Sequence, residues 1–146
     1  YRERIGACSI IGKDTASADI IHAVLQRVVR VNYSMPPAHG AALVETILGS
    51  PELTGQWHEE LKVMRDRISG MRSLVVAKLV ENGVTRDFSF ITRQNGMFSF
   101  LGLSPEQIER LKQEFGIYIV NSSRISVAAI SPSNVDYLTQ SIAKVL

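Results

Sequence analysis

A chain of 146 residues with 16 basic and 14 acidic side chains carries a net charge of +2, too balanced to argue for nucleic acid or an anionic membrane as a partner. Its hydrophobic fraction of 45% and charged fraction of 21% are those of a globular domain. One cysteine, Cys8, excludes an internal disulfide framework, no Cys/His spacing suits zinc, and no apolar run approaches the ~20 residues that a bilayer span needs. The expectation is a chain without a metal or a membrane span, in a reducing, cytoplasmic setting.

Tyr1-Arg2-Glu3-Arg4 runs into an apolar stretch with no Met before it, so the sequence reads as a fragment whose upstream part is missing. Ile5–Ile11 predicts a short buried strand with Cys8 as a small core hydrophobe. A helix is predicted from about Ser17 to Val31, because Ile20, Ile21, Val24, Leu25, Val28 and Val29 recur at three- and four-residue spacing. Thr15 or Ser17 can cap it. Asn32-Tyr33-Ser34-Met35-Pro36-Pro37 ends it, since two consecutive prolines cannot continue a helix. A short helix follows from about His39 to Leu48.

Ser50-Pro51 opens the longest element, with serine as the cap and proline as the first helical residue. Leu53, Trp57, Leu61, Met64, Ile68, Met71, Val75 and Leu79 step by fours and threes towards Asn82-Gly83, the stop. A helix of that length is a rod of roughly 45 Å, long enough to link two bodies. Its other face, with Glu59, Glu60, Lys62, Arg65, Asp66, Arg67 and Arg72, reads as solvated.

Phe88–Ile91 and Met97–Phe100 alternate about Asn95-Gly96, a hairpin signal. Ser104-Pro105-Glu106-Gln107 is a capping box, with Leu103 and Ile108 placed as a hydrophobic staple, and its helix ends at Phe115-Gly116. Two short strand-type runs, Ile117–Val120 and Ile125–Ile130, then flank Asn121-Ser122-Ser123-Arg124. Ser131-Pro132 opens a last helix with Val135, Leu138, Ile142 and Val145 on one face. The order from Gly83 onwards, β-β-α-β-β-α, predicts a small α+β unit with helices over one face of a mainly antiparallel sheet.

No Ser-His-Asp set, phosphate-binding glycine loop or zinc-protease motif is present, and His22, His39 and His58 read as structural. Three arginines stand in constrained settings. Arg4 precedes a glycine-bearing apolar run, Arg30 ends a helix before the double proline, and Arg124 lies between two apolar runs. Each has a bland account. Arg30 complements the helix dipole, Arg4 solvates a strand end, and a strand-edge arginine such as Arg124 most often reaches water. Yet a guanidinium fork also suits a carboxylate or a phosphate, and both readings stay open on the residues alone.

The motifs decide between them. Tyr1-Arg2-Glu3-Arg4-Ile5-Gly6-Ala7, Asn32-Tyr33-Ser34-Met35-Pro36-Pro37-Ala38-His39-Gly40, Arg86-Asp87-Phe88-Ser89-Phe90, Gln94-Asn95-Gly96-Met97-Phe98-Ser99-Phe100, Glu114-Phe115-Gly116-Ile117-Tyr118 and Asn121-Ser122-Ser123-Arg124 are similar to motifs of one family. Together they cover essentially the whole chain, which resembles the C-terminal part of class I aminotransferases in the aspartate/aromatic branch. These enzymes use pyridoxal 5'-phosphate.

The resemblance implies an α/β architecture of fold type I. Residues 1–50 would end the large cofactor-binding domain, 51–82 would form the inter-domain helix, and 83–146 the small α+β domain. It implies that Arg124 binds the substrate α-carboxylate and that Phe98 packs near the substrate. Arg30 would bind the distal carboxylate of aspartate or glutamate in the neighbouring subunit's site of a homodimer. Arg4 would bind the cofactor phosphate, with Ser34 near it across the interface. Family glycines are replaced by Ser123 and Ala129, and Met35 stands where aspartate-specific members have Asn. The cofactor-binding lysine would lie upstream of Tyr1, because Lys13, Lys62, Lys78, Lys112 and Lys144 all lack its context. The implied reaction moves an amino group between an amino acid and a 2-oxo acid such as 2-oxoglutarate, and this chain alone would be inactive. The rival reading is a non-catalytic domain that binds a carboxylate or another protein.

Overall fold

The structure, a computed structural model, describes residues 3–146. Tyr1 and Arg2, which open the first motif, lie outside the described residues. The chain divides into two compact units, Tyr1–His58 and Glu59–Leu146.

The first unit contains α1 (Thr15–Asn32), α2 (His39–Leu48) and the start of α3 (Pro51–Glu81). Asp14, rather than Thr15 or Ser17, caps α1. Its backbone is extended and its carboxylate accepts the Ser17 amide at 2.8 Å. That bond holds the Asp14 carboxyl below the usual carboxylate range. The Tyr33 amide still donates to Val29, but Ser34 has φ +61° and the prolines follow, so α1 stops there. The short helix from His39 to Leu48 is found as expected.

The expected strand Ile5–Ile11 is not formed. Those residues are irregular and exposed, and Cys8 is exposed rather than in a core. A strand's amides and carbonyls need a partner strand, and among the described residues none is paired to this stretch. The apolar stripe of α1 is likewise open, with Val24 55% and Val31 81% exposed. Periodicity made the helix without a core to receive it.

The second unit holds the core. α3 delivers Val75 and Leu79 into it, and ends where the Val84 amide reaches back to the Leu79 carbonyl with Gly83 at φ +78°. A 3₁₀ turn (Ser89–Arg93), β1 (Phe98–Phe100), α4 (Pro105–Phe115), β2 (Arg124–Ser126), a 3₁₀ turn (Val127–Ala129) and α5 (Val135–Val145) follow. Leu101, Leu111 and Ile142 are fully buried at its centre. The capping box of α4 is formed in both directions, and Leu103 and Ile108 both lie in the core.

The sheet is smaller than expected. β1 pairs antiparallel with β2, with Phe98 opposite Ser126 and Phe100 opposite Arg124. The expected hairpin between 88–91 and 97–100 is absent. The Asp87 carboxylate takes the Ser89 amide at 2.7 Å, and the Ile91 amide turns back onto the Phe88 carbonyl, so the first run winds into a 3₁₀ turn. The Gln94 side chain then bonds both the amide and the carbonyl of Phe100, at 2.7 and 3.0 Å, as a partner strand would. Ile117–Val120 also forms no ladder. Its alternation survives only as burial, with Ile117 and Ile119 half-buried and Tyr118 and Val120 exposed. The last helix begins at Val135 rather than Pro132, because Asn134 ties the preceding turn by accepting from the Ser131 amide and donating to the Ala129 carbonyl.

Among the described residues no helix is long and apolar enough to cross a membrane, and no group of three His, Cys, Asp or Glu could hold a metal ion.

Candidate substrate-binding site

Arg124 begins β2, and its exposed guanidinium stacks over the Phe98 ring with 4.7 Å between the guanidinium carbon and the ring centroid. The register explains the meeting. Phe98 faces Ser126 and Phe100 faces Arg124, so Phe98 and Arg124 are diagonal neighbours on one face of the ribbon. A cavity of about 450 Å³ adjoins them, walled by Ile119, Ile125, Tyr137 and Leu138, with Asn134 among its polar groups. A cation held over an aromatic face beside an apolar hollow can still offer its donors to an anion.

Ser123 sets the geometry of Arg124. It has φ +61°, the left-handed region that favours glycine, and it is 1% exposed. Its hydroxyl accepts the Leu103 amide at 2.8 Å and its carbonyl accepts the Leu101 amide at 2.9 Å. Left-handed strain costs about 1–2 kcal/mol in an L residue, and a buried amide left without its acceptor costs about 1–3 kcal/mol. The hydroxyl bond offsets the strain. Ser123→Ala keeps the strain and loses the bond, so it is expected to destabilise more than Ser123→Gly, which loses both. Urea unfolding of the two variants checks the order, and a glycine variant less stable than the alanine one contradicts this account.

The other expected site residues lie in the first unit. Arg4, at φ +51°, lines a cavity of about 630 Å³ with Tyr33, Met35, Pro37 and His39. Ser34 lies between two of those lining residues. His39 Nε2 is 4.0 Å from a Glu3 carboxylate oxygen. Arg30 is exposed in the last turn of α1. The structure thus brings Arg124 to Phe98 and Arg4 to the flanks of Ser34.

Two arginines have roles that the sequence reading missed. Arg72 is buried rather than solvated, and Arg67, though exposed as expected, is bonded to backbone. Arg72 is 4% exposed, and its guanidinium donates to Ser99 Oγ at 3.0 Å, to the Gly96 carbonyl at 2.6 Å and to the Phe98 carbonyl at 3.1 Å. Arg67 donates to the Ala128 and Ile130 carbonyls at 3.3 and 2.8 Å. A signal for Arg72 was present. It stands three residues before Val75 and seven before Leu79, which puts it on the buried stripe.

Comparison with known proteins identifies the family. The family model for aminotransferase class I and II matches residues 1–142. The aspartate aminotransferases of Pseudomonas aeruginosa and Escherichia coli K12 are each 49% identical over 146 residues, covering 100% of this chain and 37% of the relative. The chain therefore spans little more than a third of the length of these relatives. The crystal structure of an aromatic-amino-acid aminotransferase from Burkholderia pseudomallei, covalently bound to pyridoxal phosphate, superposes with a TM-score of 0.84 at 49% identity, over 94% of this chain and 34% of that one. Aspartate aminotransferase from Trypanosoma cruzi superposes with a TM-score of 0.89 at 37% identity, over 99% of this chain and 37% of that one. The chain belongs to the aminotransferase class I and II family.

Proposed function

We propose that this chain is the C-terminal part of a pyridoxal phosphate-dependent aminotransferase that moves an amino group between aspartate or an aromatic amino acid and a 2-oxo acid such as 2-oxoglutarate. The observation that carries the reading is the Arg124 guanidinium, exposed and laid over Phe98 beside an apolar hollow. It is a carboxylate receptor with a surface for the rest of an amino acid. Family membership supplies the reaction class. In this reading Arg124 holds the α-carboxylate bidentately, and Phe98 keeps the guanidinium flat and limits water around it. Arg30 takes the distal carboxylate of a dicarboxylate substrate across a homodimer interface.

In this reading Arg4 and Ser34 would hold the cofactor phosphate: Arg4 lines a hollow whose other walls include Tyr33 and Met35, the neighbours of Ser34, and a guanidinium suits phosphate oxygens. The cofactor-holding lysine in this reading is contributed from upstream in a longer chain. The chemistry supplied by bound pyridoxal phosphate is an electron sink for the amino acid's Cα and a carrier for its amino group. The part played by this chain is to bind and orient. Arg124 fixes one end of the substrate, so the Cα–H bond is presented in one direction, and ordering of this kind lowers the entropic part of the barrier. The residues from 83 onwards act in this reading as a small domain, with α3 as the inter-domain helix, in a cytoplasmic enzyme.

The test is reconstitution. A protein extended upstream to the length of the relatives is expected to bind pyridoxal phosphate with the visible absorbance of a lysine-bound cofactor and to transaminate. The 146-residue chain is expected to do neither. An extended protein without colour or turnover would overturn the proposal and favour the non-catalytic binding domain.

A further inference from the structure

Arg72 is a buried cation whose partners are neutral. Its fork donates to Ser99 Oγ, Gly96 O and Phe98 O. Burying a guanidinium is costly, and apolar residues of similar volume in such places are often as good or better for stability. Its location gives it another use. All three acceptors belong to β1 and the turn that enters it, and β1 carries the ring on which Arg124 rests. β1 and β2 are three residues each, and an isolated two-stranded ribbon is marginally stable at best. The Phe98 side chain is 44% exposed, so core packing does not fix its ring. What fixes β1 from the side of α3 is the Arg72 fork. Five residues earlier on the same helix, Arg67 grips the Ala128 and Ile130 carbonyls, just beyond the other strand. Guanidinium groups of α3 thus tie β1 itself and the segment just after β2.

We infer that Arg72, assisted by Arg67, is a positioning residue for the carboxylate receptor: it holds β1 against α3 so that Phe98 presents Arg124 to the substrate. Neither arginine touches substrate in this arrangement, and each acts through the backbone it holds. A rigid support of this kind matters because a displacement of about 1 Å at a binding group can cost on the order of a hundredfold in rate. The inference rests on the proposed role of Arg124.

The experiment uses the extended, pyridoxal phosphate-loaded enzyme and single-turnover reactions with two substrates, an amino acid and the corresponding amine that lacks the α-carboxylate. The reading is the ratio of their kcat/KM values. Arg72→Met is expected to lower that ratio roughly tenfold to a hundredfold, with most of the loss in KM for the amino acid. Arg72→Lys, which keeps the charge and some donors without the planar fork, is expected to recover part of it. Arg67→Gln, at an exposed position, is expected to lower the ratio by less. Should Arg72→Met fail to fold, Arg72→Lys and Arg67→Gln decide, and an unchanged ratio in both overturns the inference. Equal losses for amine and amino acid in Arg72→Met also overturn it, because they describe a merely structural residue. Arg124→Ala separates the two levels. If it lowers the ratio and the Arg72 and Arg67 variants do not, only the positioning inference falls. If Arg124→Ala leaves the ratio unchanged, the carboxylate role of Arg124 has failed and the inference falls with it.

Discussion

Arg124→Ala in the extended enzyme is expected to lower kcat/KM for an α-amino acid by about 2–5 kcal/mol, roughly thirty- to several-thousandfold. The magnitude follows from the geometry. In a closed site the substrate carboxylate would lose its water and need charged donors in exchange, and the guanidinium over Phe98 is poised to provide two in one plane. Removing it leaves a desolvated carboxylate with no partner, which costs more than the bond itself contributes. Arg124→Lys is expected to fall between the two, because an ammonium retains charge but cannot bond both oxygens in the fork geometry and stacks less well on Phe98. Steady-state kinetics with an amino acid and with a 2-oxo acid checks this, and both substrates should suffer alike because both carry the carboxylate. Wild-type kcat/KM in Arg124→Ala would end the receptor reading.

Leu111→Ala is expected to destabilise the second unit by about 2–5 kcal/mol, a large part of the about 5–15 kcal/mol that holds a typical domain folded. Leu111 is 0% exposed and sits on α4 within the core that also includes Val75, Ile108 and Ile142. Its removal leaves a cavity among residues from three helices. Val24→Ser provides the contrast. Val24 is 55% exposed on α1, a helix with no buried residue, and its replacement in this chain should stay within about 0.5 kcal/mol. Urea denaturation followed by tryptophan-independent circular dichroism would show both. Comparable losses for the two variants would mean that the first unit has a core of its own.

The helices were legible because their signals are local. Ser104 and Gln107 are three residues apart and bond each other's backbone, as the capping box requires. Pro51 starts α3 where a missing amide does no harm. The sheet was not legible because pairing is non-local. Phe88–Ile91 alternates like a strand, but the Asp87 carboxylate and the Phe88 carbonyl claim its amides within a few residues. Ile5–Ile11 has a strand's composition and no partner among the described residues. In the site, the sequence singled out Arg124 by the oddity of a charge between apolar runs. That Phe98 would lie beneath it depends on the register of two strands 26 residues apart, which spacing could not give; the family resemblance placed Phe98 only near the substrate. The charges of α3 were misread for a simpler reason. Arg72 was sorted by its charge when its position on the helix should have decided.

The hold of Gln94 on Phe100 has a consequence for the molecule in a crowded solution. A ribbon of two strands has two edges, and an open edge invites the backbone of another chain to add to it and begin a growing stack. Gln94 occupies both the amide and the carbonyl of Phe100, and Arg72 occupies the carbonyl of Phe98. A newcomer would have to displace a satisfied bond at each of these three groups before pairing there. Side chains that look like details of a turn therefore act as a guard against self-association, in a protein whose α1 stripe and β1 aromatic rings are otherwise open to water.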